Sequence, residues 1–177
     1  MKKLMLLGVL ALLVGVTATY ASSATLESAT GHGTLAATSE SGKAVKRQFS
    51  FTARRHSDGT VKGQAVLINP AFSGSPDSPA PYRLHIDITC MHVVGNIAVF
   101  GGTTKRTNDP NLVDAVFFSV QDNGEPGQGR DRISRVFFWD DDPDTTGDPQ
   151  ACLLTGPAAF PLEPIESGNI QVRPTGL

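Results

Sequence analysis

Along residues 81–101, PYRLHIDITCMHVVGNIAVFG, apolar and polar side chains take turns. Tyr82, Leu84, Ile86, Ile88 and Cys90 share one parity, with Arg83, His85, Asp87 and Thr89 between them. A repeat of two belongs to a strand with one buried and one wetter face. After Cys90 the parity changes, and Met91 and Val93 become the apolar positions. A bulge or a strand end at Cys90–Met91 is the simplest cause. Val94-Gly95-Asn96-Ile97 then reads as a tight hairpin turn, because Gly and Asn tolerate positive φ. Ile97–Phe100 is the return strand.

The same reading covers most of the chain. Thr25–Ala37 is a first strand weakened by the glycines of GHG. In Val45–Arg54, Phe49, Phe51 and Ala53 alternate with Ser50, Thr52 and Arg54. The turn at Asp58-Gly59 leads to Val61–Ile68, so these two strands form a hairpin. Residues 69–81 hold four prolines and read as an exposed loop. Gly101-Gly102 opens a polar loop over 103–111. AVFFSV, 115–120, is apolar enough for a strand covered on both faces. The turn cluster 122–127 precedes a strand from Ile133 to Trp139. An acidic stretch follows, then the proline-punctuated 157–164, and Gly168–Arg173 is a last short strand. No apolar stripe of helical period occurs after residue 21. Eight or nine short strands predict an all-β chain, a single-domain antiparallel β-sandwich or alternatively a small β-barrel.

The N-terminus changes the setting. Lys2 and Lys3 precede an unbroken apolar and glycine run, Leu4–Val16, and Thr19-Tyr20-Ala21 offers a small-x-small cleavage site. Residues 1–21 read as a secretory signal peptide, too short to span a bilayer, with 22–177 as one all-β domain. Ser22-Ser23-Ala24 is a second possible cleavage site. No cysteine near the cleavage region could carry a lipid anchor. The chain is thus expected to be secreted or periplasmic, with no membrane span once mature. In that compartment Cys90 and Cys152, with 61 residues between them, are expected to pair. Loss of the two leader lysines leaves 13 basic residues against 17 acidic ones. That balance gives no electrostatic reason to expect nucleic acid or anionic lipid as a partner.

Two stretches carry a likeness to known proteins. They are VQDNGEPG at 120–127, with Asp131 following, and ESGNIQV at 166–172. A V-x-DNGEPG turn with a closing GNIQV strand resembles the post-COAP type of secreted bacterial β domain and its stand-alone relatives. The FSFTARRHSDGTVKGQ hairpin is similar to the opening of that family. The resemblance implies a compact all-β module at or beyond the cell surface. It brings no catalytic residue and no ligand.

Candidate chemistry is sparse. Asp140, Asp142 and Asp144 alternate in the acidic stretch, and hard carboxylate oxygens suit Ca²⁺. An EF-hand would need Gly at Thr145 and Glu at Ala151, so that motif is absent. Trp139, beside the acidic stretch, is the one aromatic expected to be partly exposed, where it could stack on a sugar. His85 and Asp87 share the wet face of their strand, and a His-x-Asp pair could act as a general base. No nucleophile elbow or HExxH motif accompanies them. Arg54-Arg55-His56 and Arg130, Arg132 and Arg135 read as solvated strand faces. The expectation is a non-enzymatic binding or structural module with no catalytic residue and no assigned cofactor. The alternatives are a carbohydrate- or calcium-dependent ligand domain built on Trp139 and the acidic stretch, and a small hydrolase using His85 and Asp87.

Overall fold

A computed structural model describes residues 25–39, 41–71, 81–108, 112, 115–138 and 147–175. The leader, the 72–80 part of the proline-rich loop, Trp139, Asp140, Asp142 and Asp144 all lie outside the described residues. Ten antiparallel strands form one sheet: β1 (Thr25–Thr38), β2 (Ala44–His56), β3 (Val61–Asn69), β4 (Tyr82–Val94), β5 (Ile97–Thr107), β6 (Ala115–Gln121), β7 (Arg132–Ser134), β8 (Phe137–Phe138), β9 (Leu162–Pro164) and β10 (Ser167–Arg173). Their order is β10-β1-β2-β3-β4-β5-β6-β7-β9, and β8 also pairs with β6. Each of β2 to β7 bonds the strand before it, so among the described residues no second layer begins. The all-β antiparallel chain therefore curls one sheet into a half-barrel and does not stack two sheets.

Side chains fill the concave side. Phe49 and Phe51 from β2, Leu84, Ile86 and Ile88 from β4, Phe100 from β5 and Phe118 from β6 are all buried there. The rings of Phe51, Phe100 and Phe118 pack with centroids 4.7 to 5.9 Å apart, in the tilted and edge-on arrangements aromatic pairs prefer. The glycines of β1 make room for this cluster. A Cβ on Gly31 would overlap the Phe51 ring, and one on Gly33 would overlap Ser167 O and crowd the Phe49 ring. What reads locally as a weak strand is a strand shaped to its neighbours.

The parity change of β4 is a bulge. Ile88 pairs with Gly102 and Cys90 with Gly101, so Thr89 is the extra residue. Ile88 faces the concave core, whereas Cys90 turns to the convex side and Met91 returns inward. Cys90 thus joins Val99, Ala115, Phe117, Phe160 and Cys152 in a second, smaller cluster outside the sheet. The 3₁₀ helix Pro149–Leu153 covers it, capped by the Asp148 side chain, which accepts the Gln150 N–H. This explains why all six residues of AVFFSV are buried: Phe118 faces one cluster and Phe117 the other.

Two expected boundaries fall elsewhere. Gly101-Gly102 does not end its strand, because β5 continues to Thr107, pairing with β4 up to Thr107 and with β6 up to Thr103. The glycines are close-approach sites: a Cβ on Gly101 would overlap Pro149 O of the covering helix. The strand expected over Ile133–Trp139 is broken at Arg135-Val136 into β7 and β8. The cause is the Ser134 hydroxyl, which accepts the Ser119 N–H at 2.9 Å and donates to Arg135 O at 2.6 Å. A side chain has taken the place of a ladder bond.

Candidate functional site

β2 carries an inward row of Arg47, Phe49, Phe51, Ala53 and Arg55, with an arginine at each end. Arg47 is buried; it donates to Glu163 Oε1 at 2.9 Å and to Ser134 O at 3.0 Å, tying β2 to β7 and β9 across the mouth of the half-barrel. Arg135 donates to the same Glu163 oxygen at 3.2 Å. At the other end Arg55 bonds Glu27 Oε2 at 2.8 Å and also donates to Met91 O. Both ends of the concave core are closed by polar side chains. The cavity between Arg47, Tyr82, Ile133 and Val136 measures about 10 Å³, room for at most one water. The concave side therefore offers no chamber to an organic ligand at this end.

Tyr82 beside Arg47 has a testable consequence. Burial pushes its phenol above the ordinary range, while the Arg47 guanidinium pulls the other way. Below about pH 10 the phenol is neutral folded and unfolded alike. Above it the unfolded chain ionises first, so this contribution to stability is intact below pH 10 and is lost as pH rises through the folded value. Urea midpoints of the wild type between pH 9 and 11.5 should fall more steeply than those of Tyr82→Phe. Parallel curves would show that the buried phenol is not the cause.

The two halves of the family-like motif meet at the seam. Asp131 is fully buried; its Oδ1 accepts the Asn123 N–H at 2.8 Å and its Oδ2 the Ile170 N–H at 2.7 Å. Asp122 accepts Gly124 N–H at 2.9 Å and Val172 N–H at 3.0 Å. Glu125 receives the amides of Asn169 at 2.7 Å and Gln171 at 3.2 Å. The free edge of β10 is thus satisfied by carboxylates of the 122–131 turn, where a closed barrel would place another strand. Gly127 has no Cβ because Asp131 Oδ2 and Asn169 Oδ1 occupy its place.

Of the sequence-derived candidates, Cys90 and Cys152 are bonded, with Cα atoms 6.1 Å apart. His85 and Asp87 lie on the convex face in an open groove of about 200 Å³, with Gln64 and Val66 of β3 and Lys105 and Arg106 of β5 around them. Asp87 pairs with Lys105 Nζ at 3.1 Å rather than with His85. The triplet Arg54-Arg55-His56 is split by the pleat: Arg54 faces out and Arg55 in. Phe117 and Phe137 belong to the outer cluster, and Phe118 and Phe138 to the inner one. Among the described residues no three His, Cys, Asp or Glu side chains gather as a metal site, and no helix is long and apolar enough to cross a membrane. Arg47, Glu163, Asp122 and Asp131 carry structural roles that the sequence reading did not assign. The parity of Arg47 with Phe49 and Phe51 was the available signal. No protein-family model, curated protein or solved structure matches the chain.

Proposed function

We propose that the protein is an exported, non-enzymatic β module, acting by binding or structural support in the envelope or extracellular space. The observation that carries this is the Cys90–Cys152 bridge, which pins a covering segment to a sheet with a packed concave side. Such a bond persists in oxidising compartments, in keeping with the leader-like first 21 residues. Membership of the post-COAP type of domain is part of the same reading. It is supported by the way DNGEPG, Asp131 and GNIQV interlock as one unit. The ligand domain built on Trp139, Asp140, Asp142 and Asp144 draws on residues beyond those described.

The test is to express the full chain in a bacterial host and recover it by compartment. The expected product lies outside the cytoplasm, begins at Ser22 or within three residues of it, has no titratable thiol, and leaves an ester and glycoside panel untouched. A cytoplasmic product with its leader intact and both thiols free would overturn the location. Turnover abolished by both His85→Ala and Asp87→Ala would replace the module with a hydrolase.

A further inference from the structure

The convex face of β2 to β5 concentrates positive charge on an otherwise acidic chain. Arg54 and Lys62 are direct cross-strand partners, and Arg106 stands opposite His85 with Arg83 two residues further along β4. All four cations are exposed, and no described acidic side chain lies within ion-pairing distance of any of them. Asp87, already paired with Lys105, is the one acid among the described outward positions of these four strands. Several of the described acids elsewhere hold seams: Glu27 on Arg55, Glu163 on Arg47, and Asp122 and Asp131 on β10. Four like charges left unpaired on one face repel one another and favour an anionic partner.

We propose that this face binds an acidic glycan, its sulfate or carboxylate groups held by Arg54, Lys62, Arg83 and Arg106 around the His85–Gln64 groove. The claim rests on the binding-module reading and names its ligand class. From Lys62 to the position opposite Arg83, six residues of β3 span about 20 Å, and β2 to β5 span about 14 Å across. The cations are therefore spaced for an extended polyanion, not for one small ion. Between them the exposed side chains are hydroxyls and amides, Ser50, Thr52, Gln64 and Thr103, which suit sugar hydroxyl groups. No Phe, Tyr or Trp stands at a described outward position of β2 to β5, where His85 is the ring in the groove. The face thus lacks the row of large aromatics on which successive bases of single-stranded nucleic acid stack. The face also lacks the buried aromatic anchor typical of a protein interface, and its apolar side chains Val66 and Ile68, beside His85 and Arg83, are only partly exposed.

The test measures binding of heparin, as a sulfated glycan, and of polygalacturonate to the oxidised protein, with single-stranded DNA and phosphatidylserine vesicles alongside. The expected result is binding to at least one glycan that weakens with salt. The exposed triple variant Arg54→Gln, Lys62→Gln, Arg106→Gln should lose at least tenfold in affinity, and its log–log salt slope should shrink by about one per cation removed. Arg132→Gln, on β7, should change neither. Absence of glycan binding at low salt, an equal loss in Arg132→Gln, or tighter binding to DNA or vesicles would each overturn the proposal. Cleavage of a bound glycan would instead sink the non-enzymatic reading while leaving the binding face in place.

Discussion

Reducing the Cys90–Cys152 bridge, or replacing it by the double variant Cys90→Ala, Cys152→Ala, lowers the thermal midpoint by about 10 °C. The residues are 62 apart in sequence. In a chain-entropy treatment, closing such a loop removes about 4 kcal/mol of freedom from the unfolded chain. For a domain of this size each kcal/mol moves the midpoint by about 2–4 °C. Packing acts in the same direction, because the bridge holds the 3₁₀ helix over Val99 and Phe117. Once released, the helix keeps the packing of Ala151 on this cluster and polar anchors such as the Gln150 side chain on Thr89 O at 3.2 Å. Scanning calorimetry with and without reductant checks this. A midpoint that moves by less than about 3 °C would mean that the cluster holds the segment unaided and that the bridge contributes little.

How far the sequence speaks for this fold depends on whether a feature is local. Alternation over Tyr82–Ile88 is local: each inward side chain is apolar, and the strand is found where its pattern places it. The switch at Cys90 is legible too, although the pattern cannot tell that Thr89 is the extra residue. It also cannot tell that the flip carries Cys90 to the outer cluster. Features that depend on a distant partner are hidden. Gly31 and Gly33 are poor strand residues until Phe51 and Phe49 stand beside them. The break at Arg135 needs Ser119 opposite Ser134. Arg47 shares the parity of Phe49 and Phe51, yet an arginine in a core row reads as solvated until Glu163 is brought to it from 116 residues away. Net charge misleads for the same reason. It averages the seam acids with the convex-face cations, and only the fold separates them.

Asp131→Asn is the most damaging single conservative change expected in the chain, costing about 3 kcal/mol. The native carboxylate is fully buried, and each oxygen accepts one backbone N–H, from Asn123 and from Ile170. Hydrogen bonds to a charged group contribute about 1.5–3 kcal/mol each. An amide of the same shape keeps one acceptor and turns an N–H₂ toward the other donor, so one bond is lost and the donors face each other. Asp131→Ala should cost more, because it strands both donors and leaves a void. Asp122→Asn should cost about 1 kcal/mol, since that carboxylate is only half-buried and water can replace part of what it accepts. Urea midpoints of the three variants give the ranking, and hydrogen exchange locates it: the Ile170 amide should lose protection before those of β4 do. Equal stability of wild type and Asp131→Asn would show that another contact holds the seam. The ranking follows from topology, because β10 has a strand on one side only and its outward N–H groups have no other described partner. Loss of the carboxylate leaves the Ile170 N–H on this edge without its acceptor and loosens the seam that keeps β10 from pairing with another chain. The same variant should therefore also self-associate as its concentration rises, which sedimentation would register.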